Sequence, residues 1–321
     1  KRIVEKYSRD GKLADLMDNI TGKVNFVQLD LNEPNDATRV FERLNFRGEK
    51  VTVGDLVRNE IFVDSYNTPQ DELNNIYELH WKPFYERFGS NGKDFESFLF
   101  ASSLIHDPSI NKSGIYTMLR KAWENYTTPM EKIEFLKLYL EQFSEIKYGS
   151  SGLELDDEMK NELQNLRKAK VADVVHPFLM KVLYEYKLGN LDRNLILKLI
   201  KLIESYVVRR GLCGFEQTGM YKIFVSLWKK TKKDFTLDNV RSVIASYSTQ
   251  PWPNDKDLKN GITSTKVDKA RVLHHVLMEY EKHLGGDTPS DNFTLEHICL
   301  KLQVGITQSL EMLNLNFIIE F

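Results

Sequence analysis

Apolar residues recur along most of this chain at the three- and four-residue spacing of helices that face a core. Ala37, Val40, Phe41 and Leu44 fall at i, i+3, i+4 and i+7, and Asn35 beside Pro34 stands where a side-chain cap belongs, so a helix is predicted there. Arg47-Gly48-Glu49-Lys50 turns the chain. A second helix follows, with Val53, Leu56, Val57 and Ile61 as its buried face and Thr52 and Asp55 in capping-box spacing. Ahead of this pair, Lys1 to Asp18 predicts a helix with Leu13, Leu16 and Met17 apolar, ended by Gly22. Lys23 to Leu31 alternates in the two-residue period of a strand, Phe26 alone out of phase, and is rich in β-branched and aromatic residues.

Farther along, the pattern is almost continuously helical. Asp94 stands ahead of Phe95, Phe98, Leu99 and Ser102, while Thr128-Pro129-Met130-Glu131 combines a capping box with proline at the first helical position. Glu131 to Lys147 reads as one helix carrying Ile133, Leu136, Leu140 and Phe143, and Gly149-Ser150-Ser151-Gly152 reads as a flexible linker, with a sub-boundary near 150. Helices are predicted over Asp156 to Lys168 and over Val171 to Lys187, the latter kinked at His176-Pro177. Asp192 opens the most apolar helix, lined by Leu195, Ile196, Leu199, Ile200, Ile203, Tyr206 and Val207 against Lys198, Lys201 and Glu204 on the other side. Thr236 caps a helix from Val240 to Tyr247, Trp252-Pro253-Asn254-Asp255 opens a short segment, and Val267 to Leu284 predicts a long helix stopped by Gly285-Gly286. Phe293 to Ile298 reads as a short strand. The predicted class is mainly α: a multi-helix bundle with a small α/β edge at the N-terminus and a strand near the C-terminus.

Composition narrows this picture. At 321 residues, 41% hydrophobic and 28% charged, the chain has material for compact units with cores and none of the signature of disorder. A formal net charge of -2 announces no global attraction to nucleic acid, so any such contact needs a local patch. Cys213 and Cys299 lie far apart with no metal-ligand spacing, which reads as two free thiols in a reducing cytoplasm. No apolar run approaches the ~18 residues that a membrane span needs, so no membrane partner is expected.

Four stretches carry a family likeness. Phe41-Glu42-Arg43-Leu44-Asn45-Phe46-Arg47-Gly48, followed by Asp55-Leu56-Val57-Arg58-Asn59-Glu60-Ile61-Phe62, resembles the end of the N-terminal domain of GmrSD-type restriction endonucleases. Tyr206-Val207-Val208-Arg209-Arg210 with Cys213-Gly214 is similar to a run in that family's helical middle region, and Trp252-Pro253 to the step before its nuclease domain. Phe293-Thr294-Leu295-Glu296-His297-Ile298 resembles the opening of its His-Me-finger, HNH-like nuclease. The resemblance implies an enzyme of phage defence that cleaves modified DNA, with a nucleotide triphosphate at the N-terminal domain and divalent Mg or Mn at the nuclease. His297 would be the general base that takes a proton from water, and Glu296 would stand at a metal-binding position.

The likeness divides the chain into 1–65, the remnant of the N-terminal domain; 66–285, the helical middle; and 286–321, an incomplete, truncated ββα-type nuclease start. The family's Gln-Gln-Arg motif is absent from this sequence, so no nucleotide-binding residue is assigned. After Ile298 come Cys299-Leu300-Lys301 in place of the family's proline and glutamine. Codons for Ile-Leu-Pro-Gln such as ATT TTG CCT CAA become Ile-Cys-Leu-Lys when one T is lost, so 299–321 reads as a frameshifted tail. The expectation is therefore a fragment of a DNA endonuclease, inactive alone. The alternative is a non-catalytic helical scaffold or interaction module, and a homo-oligomer is compatible with either.

Two basic groups are the DNA-binding candidates. Lys229, Lys230, Lys232 and Lys233 form the densest cluster, suited to backbone phosphates, although such runs at a helix C-terminus also serve as solvated faces. Arg209 and Arg210 either touch DNA or offset the helix dipole. Arg39, Arg43 and Arg47 at i+4 spacing read as a solvated face with a phosphate edge as the alternative, and His274-His275 as helix surface.

Overall fold

The computed structural model describes residues 8, 12–23, 52–63, 68–89, 92–169, 173–215, 219–263 and 272–285. The predicted strand at 23–31, apart from Lys23, and the predicted helix from Ala37 lie outside them. So do Arg39, Arg43, Arg47, Phe293 to Ile298 with Glu296 and His297, Cys299 and the tail. The chain divides into two compact units, Lys1–Thr52 and Val53–Phe321.

In the first unit, α1 spans Leu13–Lys23 and buries none of its residues. Gly22 lies inside this helix and does not end it. The last turn is supported by the Thr21 hydroxyl, which donates to the Met17 carbonyl at 2.9 Å.

The second unit is helical throughout its described residues. Its elements are α2 (Val53–Val63), α3 (Gln70–Ile76), α4 (Lys82–Glu86), α5 (Lys93–His106), α6 (Ile115–Ala122), α7 (Pro129–Lys137) and α8 (Leu140–Tyr148). Then follow α9 (Asp157–Lys168), α10 (His176–Lys187), α11 (Arg193–Leu212), α12 (Met220–Thr231), α13 (Leu237–Ala245), α14 (Asp255–Ile262) and α15 (Leu273–His283). Val57 and Ile61 carry the buried face of α2, as its spacing predicts. Between α3 and α4 a wide π-turn over Tyr77–Trp81 precedes Pro83, which has no N–H to return to the Leu79 carbonyl. That turn swings Trp81 onto Phe84 and Phe95, edge-on at 5.8 and 5.9 Å.

Several helix limits differ from the sequence pattern. The helix carrying Phe95 starts at Lys93 behind left-handed Gly92, and Asp94 instead accepts a hydrogen bond from the Tyr148 hydroxyl at 2.8 Å. The stretch 131–147 is two helices broken at Tyr139, whose ring packs on Tyr184 at 4.9 Å. Thr128 and Glu131 do form the capping box with Pro129 in the first turn. The glycine-serine stretch after α8 is tied down: Ser151 donates to Glu145 at 2.7 Å, the Gly152 amide donates to Glu141, and the Arg167 guanidinium lies against Gly149. Pro177 does not kink a helix. It sits in the first turn of α10, where its missing donor costs nothing.

One apolar core runs from Val57 on α2 to Ile244 on α13, passing both sides of residue 150. A smaller core joins Val208 and Leu212 of α11 to Ala169, Leu258 of α14 and Val272 beside α15. The C-terminal half of α11 lies between them, and it is buried all round rather than on one face: Leu202 through Arg210 are all inaccessible.

Candidate functional site

Burial of α11 on every side raises the question of what satisfies its polar residues. Tyr206, Arg209 and Arg210 point toward the extended stretch from Gln250 to Asp255. Pro251 and Pro253 bring no N–H to that stretch, so its carbonyls depend on donors from elsewhere. The Tyr206 hydroxyl donates to the Gln250 carbonyl at 3.0 Å, and its ring lies 5.0 Å from that of Trp252. Arg209 Nη1 donates to the Pro253 carbonyl at 3.3 Å and to Asp255 Oδ1 at 2.8 Å. Arg210 donates to the Pro251 carbonyl at 3.2 Å and to Gln250 Oε1 at 2.6 Å. The Arg210 guanidinium also stacks 5.6 Å from the Tyr206 ring, and Arg241 lies 5.5 Å from Trp252. Burial raises the pKa of the Tyr206 phenol, with Arg210 opposing.

This arrangement is a clasp. Asn254 then caps α14 through a reciprocal pair with Asp257, and α14 returns across the end of α11. There Gly261 lies so close that a Cβ would stand 2.7 Å from the Leu212 carbonyl oxygen. The Cys213 thiol is half-buried, and burial pushes its pKa up.

Arg209 and Arg210 are thus corrected from candidate DNA contacts to internal groups. They are 5% and 3% exposed, and their hydrogen bonds run to the 250–255 stretch rather than to the end of their own helix. His275 is likewise not helix surface. It is 2% exposed, and its Nε2 stands 2.6 Å from Glu204 Oε1, a residue expected on the polar side of α11. Glu162, paired to Lys201 at 3.3 Å, interacts electrostatically with Glu204 of this pair and with Glu279. Burial raises the pKa of Glu162, with Lys201 opposing and the two neighbouring carboxylates adding to the rise.

The lysine cluster is placed as the sequence suggests. Lys229, Lys230, Lys232 and Lys233 are all exposed at the end of α12, while Thr231 between them is fully buried. Lys230 Nζ donates to the Tyr247 hydroxyl at 2.7 Å and sits 4.4 Å from its ring. Burial pushes the Tyr247 phenol up, but bonds from Lys230 and Ser226 outweigh it and leave the pKa below its usual value. Gln250, Tyr247, Glu204 and His275 were not singled out as interacting residues by the sequence. The signal that existed was the Pro-x-Pro stretch, whose unmet carbonyls call for buried donors.

The Mg or Mn expectation attaches to Glu296 and His297, outside the described residues. Among the described residues no cluster of three or more His, Cys, Asp or Glu is arranged to hold a metal ion, and no helix is long and apolar enough to cross a membrane. No family model, curated protein or solved structure matches the chain.

Proposed function

We propose that the chain is the helical portion of a GmrSD-like, nucleotide-dependent restriction endonuclease that acts on modified DNA in phage defence, with the metal-dependent cut assigned to His297 and Glu296. One observation carries the reading. Tyr206-Val-Val-Arg-Arg and Trp252-Pro253, which resemble that family separately, meet in space: the Tyr206 ring lies on Trp252, Arg209 donates to the Pro253 carbonyl, and Arg210 donates to the adjacent Pro251 carbonyl. Residues with a shared structural task explain why the two stretches occur together. Under this reading nucleotide hydrolysis belongs to a domain bearing the Gln-Gln-Arg motif, and cleavage requires that domain.

The second reading is a non-catalytic helical scaffold. It is favoured by the use of the buried charged groups, which tie the fold together: Arg209 and Arg210 in the clasp, Glu204 with His275, and Lys132 donating to the Glu60 carbonyl at 3.1 Å.

Plasmid cleavage in Mg²⁺ or Mn²⁺ separates the two. The chain is compared with a version that restores the family reading frame after Ile298 and supplies the nucleotide-binding domain. Nicking by the extended protein with nucleotide present, abolished by His297→Ala, is the expected result. Absence of cleavage by the extended protein under either metal returns the chain to the scaffold reading.

A further inference from the structure

We infer that the exposed lysines around the end of α12, together with Lys121 at the end of α6, form a track for the phosphodiester backbone of a nucleic acid. The inference rests on the nuclease reading only in its choice of duplex DNA as partner; the charge and the placement stand apart from it.

Thr231 anchors the end of α12, fully buried with its hydroxyl donating to the Leu227 carbonyl at 2.8 Å. Lys229 and Lys230 in the last turn of α12, and Lys232 and Lys233 in the turn that follows it, are all exposed to solvent. Lys121 is exposed near the end of α6, which packs against α5; α5 leads into Asp107 and Pro108, and Pro108 lines the same small depression as Lys229. Both Lys121 and Lys229 act on the Asp107 carboxylate, whose pKa is lowered first by the Ser109 hydroxyl and amide and then by these two ammonium groups. That depression, of about 40 Å³, is also lined by Lys181, Trp228, Phe178 and Pro177.

Two of the lysines are held in place before any ligand arrives. Lys230 is fixed by the ring and hydroxyl of Tyr247. Lys181 is paired with Glu185 at 2.6 Å and lies 5.1 Å from the Tyr184 ring and 5.5 Å from that of Trp228, so it adds to the local potential rather than offering a contact. Asp107 interacts with Lys121 and Lys229, Glu185 pairs with Lys181, and Glu124, Asp234 and Asp238 lie within a few residues of these lysines in sequence, while Lys229, Lys230, Lys232 and Lys233 concentrate four cations within five residues.

The chemistry of the patch selects the partner. All its cations are lysines, point charges without the planar fork that reads base edges or grips a single carboxylate. A ridge of like charges matches a uniform polyanion, and contacts to phosphate position a protein on DNA without reading sequence.

The test is binding of the full chain to a fluorescein-labelled DNA duplex, followed by anisotropy across a NaCl series. The triple variant Lys229→Glu, Lys232→Glu, Lys233→Glu is expected to bind at least about tenfold more weakly and to flatten the log-affinity against log-salt slope by about 2.7, or ~0.9 per lost contact. Lys121→Glu alone is expected to flatten it by about 0.9. Lys160→Glu with Lys256→Glu and Lys259→Glu, exposed on α9 and α14, is the charge-matched control and is expected to change the slope little. The inference is overturned if the wild-type chain does not bind the duplex, if Lys121→Glu leaves the slope unchanged, or if the control loses as much as the triple variant. It is overturned equally if poly-glutamate displaces the duplex as effectively, charge for charge, as unlabelled DNA, which would make the partner an acidic protein. Binding through the ridge by an extended protein that never cuts leaves the track standing and removes the nuclease reading.

Discussion

His176 opens α10 with its ring edge-on to Phe143 at 5.7 Å, its Nδ1 buried without a hydrogen bond and its Nε2 3.7 Å from Asp173. Burial lowers its pKa to about 4, more than Asp173 raises it, so the folded protein keeps the imidazole neutral. Because the folded value lies below that of the unfolded chain, the stabilisation is fully present above about pH 6.5 and is lost as pH falls toward 4. The expected loss is on the order of 3 kcal/mol. Urea midpoints measured through this window should fall steeply for the wild type, and His176→Leu should remove most of that slope. An unchanged slope would assign the pH dependence to other groups. The sequence offered His176 only as half of a His-Pro kink, because what makes it titrate abnormally is the aromatic side chain of another helix.

At the scale of elements, two glycines inside helices have opposite meanings. Gly22 in α1 has no atom within 4 Å of where a Cβ would stand, so Gly22→Ala should stabilise that helix by about 0.5–1 kcal/mol. Gly261 in α14 faces the backbone of Leu212 and Cys213, which a Cβ there would meet at 2.7 and 2.8 Å, and backbone cannot step aside as a flexible side chain would. Gly261→Ala should therefore destabilise the protein by about 1–3 kcal/mol despite alanine's better helix propensity. Hydrogen exchange of the α1 amides and urea denaturation check the two halves; equal effects would show that propensity alone governs both sites. Helices that open on a cap were legible, and the caps at Thr128, Asp156, Asp192 and Thr236 are where side-chain chemistry puts them, whereas α3, α4, α6 and α12 were not delimited by the sequence pattern. Limits were less legible where packing or a left-handed glycine overrides the cap, as at Gly92 and Tyr139.

Across the second unit, α15 is attached by a narrow strip. Val272 packs against Gly211, Met278 is buried, and His275 bonds to Glu204 between them. Removing the hydrogen-bond partner of a buried polar group costs about 1–3 kcal/mol when that group stays buried, and here α15 can relieve the cost by undocking. His275→Ala should therefore release the amides of α15 to exchange while the middle of α11, held by both cores, stays protected. Loss of protection spreading through α5, α8 and α10 would instead make α15 part of the main cooperative core.

A helical class, the starts of the helices that open on a side-chain cap and the exposure of the lysine cluster follow from the sequence alone, because these depend on local spacing, capping chemistry and charge within a few residues. The sequence also marked Arg209 and Arg210 as unusual without revealing their task. Tertiary structure decided that task, as well as the burial of Glu204 and His275 and the close approach at Gly261. The reason is physical: a charged side chain on a helix looks the same in sequence whether it meets water or a proline-rich stretch returning from forty residues away, and only the packing of that stretch supplies its partner.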